Sequence, residues 1–135
     1  MMSSDGKPDP LTAMDVLRRY REEELPEFLG TALENVNQAG NSGDRPLHVA
    51  IFRGRMDEIA ALVAGGADVN ASGDLGNTPL HNAAALGYLD VIKFLLANGA
   101  SADKKNEFDE SVVDAAFSQG HDEIAWLVAS RHPPK

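Results

Sequence analysis

The sequence repeats itself at a fixed period. Residues 41–73 and 74–106 are identical at 12 of 33 aligned positions. Unrelated segments of that length would share about two identities at ordinary residue frequencies. Both copies carry Pro-Leu-His at the same place, at residues 46–48 and 79–81, which sets the period at 33. Because self-similarity at a fixed period marks repeat architectures, the sequence predicts an array of stacked units.

A helix should begin at the Thr-Pro-Leu-His segment of residues 78–81. Thr78 is placed as an N-cap, since its hydroxyl can accept a hydrogen bond from an N–H group of the first turn. Pro79 follows at the first helical position, where no N–H group is needed. Gly87 should end this short helix.

A second helix is predicted in each unit. The apolar segment at residues 91–96 is too hydrophobic for an isolated surface helix and needs cover on more than one side. Gly99 should stop it, because glycine tolerates the left-handed conformation of a C-terminal cap. The first copy has the matching segment at residues 59–63 and the matching Gly66. Each unit is therefore predicted as helix, turn, helix and a loop to the next unit.

The period of 33 and the Thr-Pro-Leu-His-x-Ala motif resemble the ankyrin repeat family over about residues 41–130. The resemblance implies an all-α solenoid of helix-turn-helix units joined by short loops. It also implies a structural role for His48 and His81, with each imidazole bonded to loop backbone and to the capping hydroxyl. Arg45 stands at the threonine site of the first copy, which removes that hydroxyl and leaves Asp44 as a replacement cap.

We predict a single domain at residues 11–130, with a disordered tail at 1–10 and a frayed tail at 131–135. The domain divides into four units, which we name the N-terminal unit, the first repeat, the second repeat and the C-terminal unit: residues 11–40, 41–73, 74–106 and 107–130. The two full repeats are thus flanked by degenerate capping units. Terminal units of an array are expected to be atypical, because they show a polar face to water.

In the N-terminal unit, Thr12 can act as a cap, and Val36-Asn37 falls one period before Val69-Asn70. An amphipathic helix should end near Leu25, because Pro26 cannot lie inside it. A second helix should begin around Pro26 and carry Phe28, Leu29, Ala32 and Leu33.

In the C-terminal unit, Ser111 can still cap the first helix. Residues 122–125 repeat residues 57–60 if one residue is deleted after Gly120. With that deletion, Trp126 takes the place of Phe94 and is expected to pack against its neighbours. Stacking of a ligand on Trp126 is the alternative.

Composition limits the possible functions. The chain has no cysteine and no apolar segment as long as a membrane-spanning helix, so neither a disulfide framework nor a membrane span is expected. The first ten residues lack the layout of a signal peptide, which favours a cytoplasmic protein. The formal net charge of −9 argues against nucleic acid, because such binding needs a basic patch. The charged residues 18–24 are interpreted as a solvated face, with a functional role as the alternative.

No catalytic, metal or cofactor site is predicted. His121 and His132 lack a cysteine or second histidine at ligand spacing. Residues 22–24 are consecutive glutamates on one helix and point in different directions, unlike a paired acid and base. The sequence contains no nucleophile elbow, phosphate loop or dinucleotide fingerprint. We therefore expect a protein that is not an enzyme.

The candidate functional surface is concave and consists of the loop tips and the exposed side of the first helix in each unit. We name the first, second and third tips by residues 41–45, 74–77 and 107–110. Acidic residues recur on the tips, and apolar residues stand where a purely solvated face would be polar. The alternative is that these apolar residues cover gaps between units. The candidate contact residues are Asp44, Arg45, Phe52, Asp74, Leu75, Asn77, Leu86, Glu107, Phe108 and Glu110.

The resemblance implies a non-enzymatic module that binds a protein partner. The family is used so widely that the motif does not identify that partner. Acidic residues around Leu75 and Phe108 resemble a charged rim around an apolar centre, which favours a partner with a basic surface. Two alternatives are a dedicated inhibitor or immunity-type protein of one enzyme or toxin, and a small enzyme with an undetected site.

Overall fold

The computed structural model describes residues 10–131, so the predicted tails lie outside it except for Pro10 and Arg131. The described part is all-helical. Its α-helices are α1 (Ala13–Glu22), α2 (Pro46–Phe52), α3 (Met56–Ala64), α4 (Pro79–Leu86), α5 (Leu89–Ala97), α6 (Val112–Ser118) and α7 (Asp122–Arg131). Single 3₁₀ turns lie at Pro26–Phe28 and Asp74–Gly76. None of these helices combines the length and apolar character needed to cross a membrane.

The helices form the predicted solenoid of helix-turn-helix units. Within units, α2 packs against α3, α4 against α5 and α6 against α7. Between units, the first helices α2, α4 and α6 stack in that order. Fully buried apolar residues recur at the period of 33, as at Ile59, Ile92 and Ala125. The core is therefore continuous along the array, and the all-α prediction is confirmed.

Three predicted caps are confirmed. The hydroxyls of Thr12, Thr78 and Ser111 each accept a hydrogen bond from the backbone N–H three residues later. Gly87 ends α4 in the left-handed conformation with a φ of 78°. The replacement cap is wrong, because the Asp44 carboxylate accepts from the backbone N–H of Asp74 instead.

The N-terminal unit differs from prediction, because the second helix is absent. Only one 3₁₀ turn forms at Pro26–Phe28, and Gly30 follows with a φ of 77°. In place of a second helix, α1 itself packs against α3. Ala13 at the start of α1 lies beside Gly65 at the end of α3, and Tyr20 reaches Glu58 near the start of α3. Helix α1 therefore runs antiparallel to α3 and covers it.

The predicted register of Asn37 and Asn70 is confirmed by matching hydrogen bonds. Asn37 Oδ1 accepts from the N–H of Asp68 at 2.7 Å, and its Nδ2 donates to Gly66 O at 3.1 Å. Asn70 Oδ1 accepts from the N–H of Ser101 at 2.7 Å, and its Nδ2 donates to Gly99 O at 3.2 Å. These asparagines tie each loop to the next unit.

The deletion expected in the C-terminal unit is wrong. Helices α3, α5 and α7 begin at Met56, Leu89 and Asp122, which keeps the period unbroken through the last unit. The two Asp-Glu-Ile-Ala segments therefore do not occupy equivalent structural positions. Trp126 corresponds to the exposed Lys93 and is itself 68% exposed, so its predicted packing is also wrong. Helix α7 continues through Arg131, one residue into the predicted tail.

Candidate partner-binding surface

Two apolar side chains stand on adjacent loop tips. Leu75 lies in the 3₁₀ turn of the second tip with a φ of 59°, a left-handed conformation that is unfavourable for leucine. Its carbonyl accepts a hydrogen bond from the N–H of Glu107 in the third tip at 3.0 Å. Leu75 is 47% exposed and Phe108 is 64% exposed. The two tips are thus joined through backbone while both side chains face solvent.

Asn106 holds the third tip in place. Its Oδ1 accepts from the N–H groups of Phe108 at 2.9 Å and Glu110 at 3.0 Å. Its Nδ2 donates to Asn77 Oδ1 at 2.9 Å and to Glu110 Oε1 at 3.0 Å. Asn77 and Glu110, two candidate contact residues, therefore also position the tips. Sequence reasoning missed Asn106, although asparagine before a turn commonly bonds backbone two residues on.

The first tip is also hydrogen-bonded to its neighbouring loops. Asp44 is buried, and its Oδ1 accepts from the N–H of Asp74 at 2.9 Å. A Cβ at Gly73 would lie 2.4 Å from that same oxygen, so glycine is needed there. The Arg45 guanidinium donates to the carbonyl of Asn37. The structure thus uses both Asp44 and Arg45 to join neighbouring loops.

A groove of about 230 Å³ lies between the second repeat and the C-terminal unit. It brings together candidate tip residues and side chains of α4 and α6. Its lining comprises Leu75, Asn77, His81, Asn82, Ala85, Asn106, Phe108, Glu110, Ala115, Ser118 and Gln119. Leu75 and Phe108 therefore line the same groove.

Phe52 and Leu86 lie at the ends of α2 and α4, outside the residues that line this groove. Phe52 is 49% exposed and Leu86 is 39% exposed. Neither side chain is sequestered between units. Each is therefore an exposed apolar side chain at the end of a first helix.

Two histidines tie the first helices to the following loops, as predicted. His81 Nδ1 accepts from the backbone N–H of Thr78 at 3.2 Å and lies 2.8 Å from its hydroxyl, while Nε2 lies 2.9 Å from the carbonyl of Glu110. His48 Nδ1 accepts from the N–H of Arg45, and its Nε2 lies 3.0 Å from the carbonyl of Ala71. Because Nδ1 accepts, the proton is on Nε2, which donates to the carbonyl.

Burial lowers the pKa of both His48 and His81, because it disfavours the charged imidazolium. The nearby Asp44 carboxylate opposes this effect on the pKa of His48. Neutral rings with one fixed tautomer keep the hydrogen bonds that join each unit to the next. His81 in particular fixes the third tip relative to α4.

The rim of the groove is acidic. Asp74, Glu107 and Asp109 are exposed, and Glu110 is half-buried. Lys105 Nζ lies 3.5 Å from Asp109 Oδ1 in a solvent-exposed pair, which contributes little. The remaining carboxylates leave the rim with net negative charge.

A buried ionic cluster that the sequence analysis missed joins α1, α2 and α3. Glu58 is fully buried, and its Oε1 accepts from the Tyr20 hydroxyl at 2.7 Å. Arg19 Nη1 donates to Glu58 Oε2 at 2.8 Å, and Arg53 Nε donates to Oε1 at 3.2 Å. Arg53 also pairs with Glu23 at 2.9 Å. Burial, followed by the hydrogen bond to Glu58, raises the pKa of Tyr20.

This cluster corrects the interpretation of residues 18–24 as a solvated face, because Arg19 and Glu23 take part in it. The sequence feature that could have indicated this cluster is the residue type at one position of the repeat. Glu58 occupies a position that is Val91 and Ile124 in the following units. A carboxylate at an apolar repeat position indicates buried partners.

The described residues contain no group of three or more histidine, cysteine, aspartate or glutamate side chains arranged to hold a metal ion. A second cavity of about 560 Å³ lies between the helix turns of the two full repeats. It is lined by Arg53, Gly54, Met56, Gly87, Tyr88, Leu89, Asp90 and Val91.

Comparison with protein-family models matches residues 19–107 of this 135-residue chain to the model described as ankyrin repeats (3 copies). A comparison with curated proteins found no match. The matched segment begins within α1 and ends at the third tip. Helices α6 and α7 lie beyond the matched segment, and α6 completes the groove on one side.

Proposed function

This chain belongs to the ankyrin repeat family, and we propose that it is a non-enzymatic module that binds a protein partner through its loop tips and first-helix face. Domains of this family are generally protein-protein interaction modules. The observation that supports this site most directly is the exposed pair Leu75 and Phe108 on tips joined by a backbone hydrogen bond. Large apolar side chains held in solvent are typical of interaction surfaces.

The proposed contact residues differ in role. Leu75 and Phe108 form the centre, and Asp74, Glu107 and Glu110 form the charged rim. Phe52 and Leu86 extend the surface along the first helices. Asp44, Arg45 and Asn77 act mainly by holding the tips, because their side chains are already hydrogen-bonded within the array.

The acidic rim favours a partner with a basic surface. Charged rims steer association, so the association rate constant should fall as salt rises. The apolar centre should act on dissociation instead. Each of Leu75→Ala and Phe108→Ala should weaken binding by about 1–2 kcal/mol, because central anchors dominate interface energies.

An affinity capture from native lysate tests the proposal. The wild type, the double variant Leu75→Ala/Phe108→Ala and the control Met14→Ala should be compared with mass spectrometry of the bound proteins. Met14 is a suitable control because it is an exposed apolar residue on α1, outside the residues that line the groove. A partner should be recovered with the wild type and the control, and lost with the double variant. Equal recovery by all three would contradict the proposed site.

The same experiment separates the alternatives. A recovered enzyme or toxin that loses its activity in a one-to-one complex would identify a dedicated inhibitor. The proposal also includes a cytoplasmic location and no binding of nucleic acid or membrane. Cell fractionation tests the location, and nuclease treatment of the lysate shows whether recovery depends on nucleic acid.

A further inference from the structure

Asn82 is an anomaly in the repeat pattern. It occupies a position of α4 at which the neighbouring units have the buried apolar residues Val49 and Ala115. Asn82 is only 6% exposed. Its Nδ2 is buried and has no hydrogen-bond partner among residues 10–131. A buried donor without a partner destabilises a protein, and an apolar residue would avoid that loss. Arg45 Nε is the other buried side-chain donor without a partner in the described residues, but Asn82 also lines a groove, which indicates a ligand there.

The surroundings of Asn82 indicate the size of that ligand. Asn82 lines the groove of about 230 Å³, together with the small residues Ala85 and Ala115. Leu75 and Phe108 line the same groove from the tips. Sites for cofactors and drug-sized molecules usually have about 300–1,000 Å³. A smaller, open groove suits one anchoring side chain of a peptide.

The charges around the groove indicate the composition of that peptide. Asp74, Glu107, Asp109 and Glu110 lie on the two tips that form the rim, and the neighbouring Lys105 is paired with Asp109. Within the described chain, neither Asp74 nor Glu107 forms an ion pair. An arginine or lysine of a bound segment would meet uncompensated carboxylates there, and an acidic segment would be repelled.

We propose that this groove binds an extended basic peptide segment of a partner protein. An apolar side chain of the segment inserts between Leu75 and Phe108, and a neighbouring arginine or lysine lies against the acidic rim. Asn82 Nδ2 has no solvent access in the unbound protein, so its side chain turns towards the groove on binding, and a carbonyl oxygen of the segment then accepts a hydrogen bond from Nδ2. This inference rests on the proposed function and specifies the chemistry of its partner.

The probe is a phage-displayed library of random peptides, selected on the folded wild-type protein. The inference expects enriched peptides to carry arginine or lysine next to a large apolar residue. Binding of individual enriched peptides is then measured by fluorescence anisotropy with the wild type and with Asn82→Val. Enrichment without an excess of basic residues would overturn the inference.

Asn82→Val copies the residue found at position 49, so the variant should be at least as stable as the wild type. Its peptide affinity should nevertheless fall roughly tenfold, because the carbonyl loses its donor. Asn82→Ala, which copies Ala115, should give the same loss of peptide affinity. It replaces Asn82→Val as the test if valine perturbs packing. Asn98→Ala is the matched control, since it also removes an asparagine amide but at an exposed position outside the groove, and it should change affinity less than about threefold. Unchanged affinity in both Asn82 variants overturns the inference.

Failure of this inference is distinguishable from failure of the proposed function. If no peptide is enriched but a partner is still lost from Leu75→Ala/Phe108→Ala in the lysate experiment, the peptide inference is wrong and the proposed function stands. If the double variant also retains every partner, both are wrong.

Discussion

The N-terminal end of the array and the groove beside the second repeat differ in how one buried polar side chain is satisfied. On the N-terminal side, both carboxylate oxygens of Glu58 accept hydrogen bonds from Tyr20, Arg19 and Arg53. On the C-terminal side, Asn82 has a buried amide nitrogen with no partner in the described part of the chain. Both Glu58 and Asn82 belong to full repeats of the same kind. Glu58 thus helps to hold α1 on α3, whereas Asn82 lines the groove in which we propose that a partner binds.

The largest expected effect comes from breaking the cohesive side. Arg19→Met with Arg53→Met leaves the buried Glu58 carboxylate bonded only to Tyr20. Such unpaired burial is strongly unfavourable, so the free energy of unfolding should fall by about 3 kcal/mol. Adding Glu58→Val, which copies the apolar residues at this repeat position, should recover most of the loss. Urea unfolding of the wild type and the two variants measures this loss of stability. A loss below about 1 kcal/mol would mean that the cluster contributes no more than ordinary surface ion pairs.

A smaller effect is expected from forcing α1 away from α3. Gly65 has a φ of −87°, which alanine can adopt, but a Cβ there would lie 2.3 Å from Ala13 Cβ. Gly65→Ala should therefore destabilise by about 1–3 kcal/mol through overpacking.

The control for this change is Asn98→Ala, at the equivalent and exposed position of the second repeat. Faster hydrogen exchange confined to α1 in Gly65→Ala would locate the effect. Equal stability of the two variants would show that α1 is not packed closely on α3.

The histidines predict a pH dependence that both halves share. Burial lowers the folded-state pKa of His48 and His81 below the ordinary value of 6.5, so the unfolded chain binds protons more readily. Their contribution is complete above about pH 6.5 and is lost as pH falls through the folded pKa. The loss should approach about 1.4 kcal/mol per pH unit for each histidine.

Thermal unfolding between about pH 7.5 and 5 measures this slope. His81→Gln should be less stable at neutral pH and should show about half the wild-type slope. A melting temperature that does not change over this range would contradict neutral buried imidazoles.

The smallest expected effect has the opposite sign and concerns the binding side. Leu75 and Glu24 both have left-handed backbone, with φ of 59° and 51°. Leu75→Gly and Glu24→Gly should each stabilise the protein by up to about 1 kcal/mol, because glycine adopts this conformation without strain. Only Leu75→Gly should weaken partner binding. Unfolding and binding measurements on the two variants separate backbone strain from partner recognition, and equal binding by both would remove Leu75 from the interface.

The sequence predicted the features that depend on local pattern and period. The caps at Thr12, Thr78 and Ser111 and the stop at Gly87 follow from residue type, and the structure contains all four. The two histidines and the tip residues Leu75 and Phe108 followed from the register of the repeat. Each of these inferences needed only neighbouring residues or the repeat period.

What the sequence could not supply depends on contacts between distant units. The absent second helix reflects coverage of α3 by α1, a packing relation that proline and apolar spacing do not report. The position of Trp126 was predicted wrongly because the repeated Asp-Glu-Ile-Ala segment suggested a different register from the one in which α7 is buried. The cluster at Glu58 joins residues up to 39 positions apart, and the unpaired Asn82 is recognisable only once its burial is known.

Because α1 packs antiparallel on α3, places in the array differ in whether another unit could be added there. The outer side of α1 carries the exposed charges Arg18, Arg21 and Glu22, so it offers a poor surface on which to stack another unit. The joints between units, by contrast, repeat the same asparagine bonds at a constant spacing. An engineer could therefore lengthen this protein by inserting whole units after residue 73, while the N-terminal end would remain a natural stop.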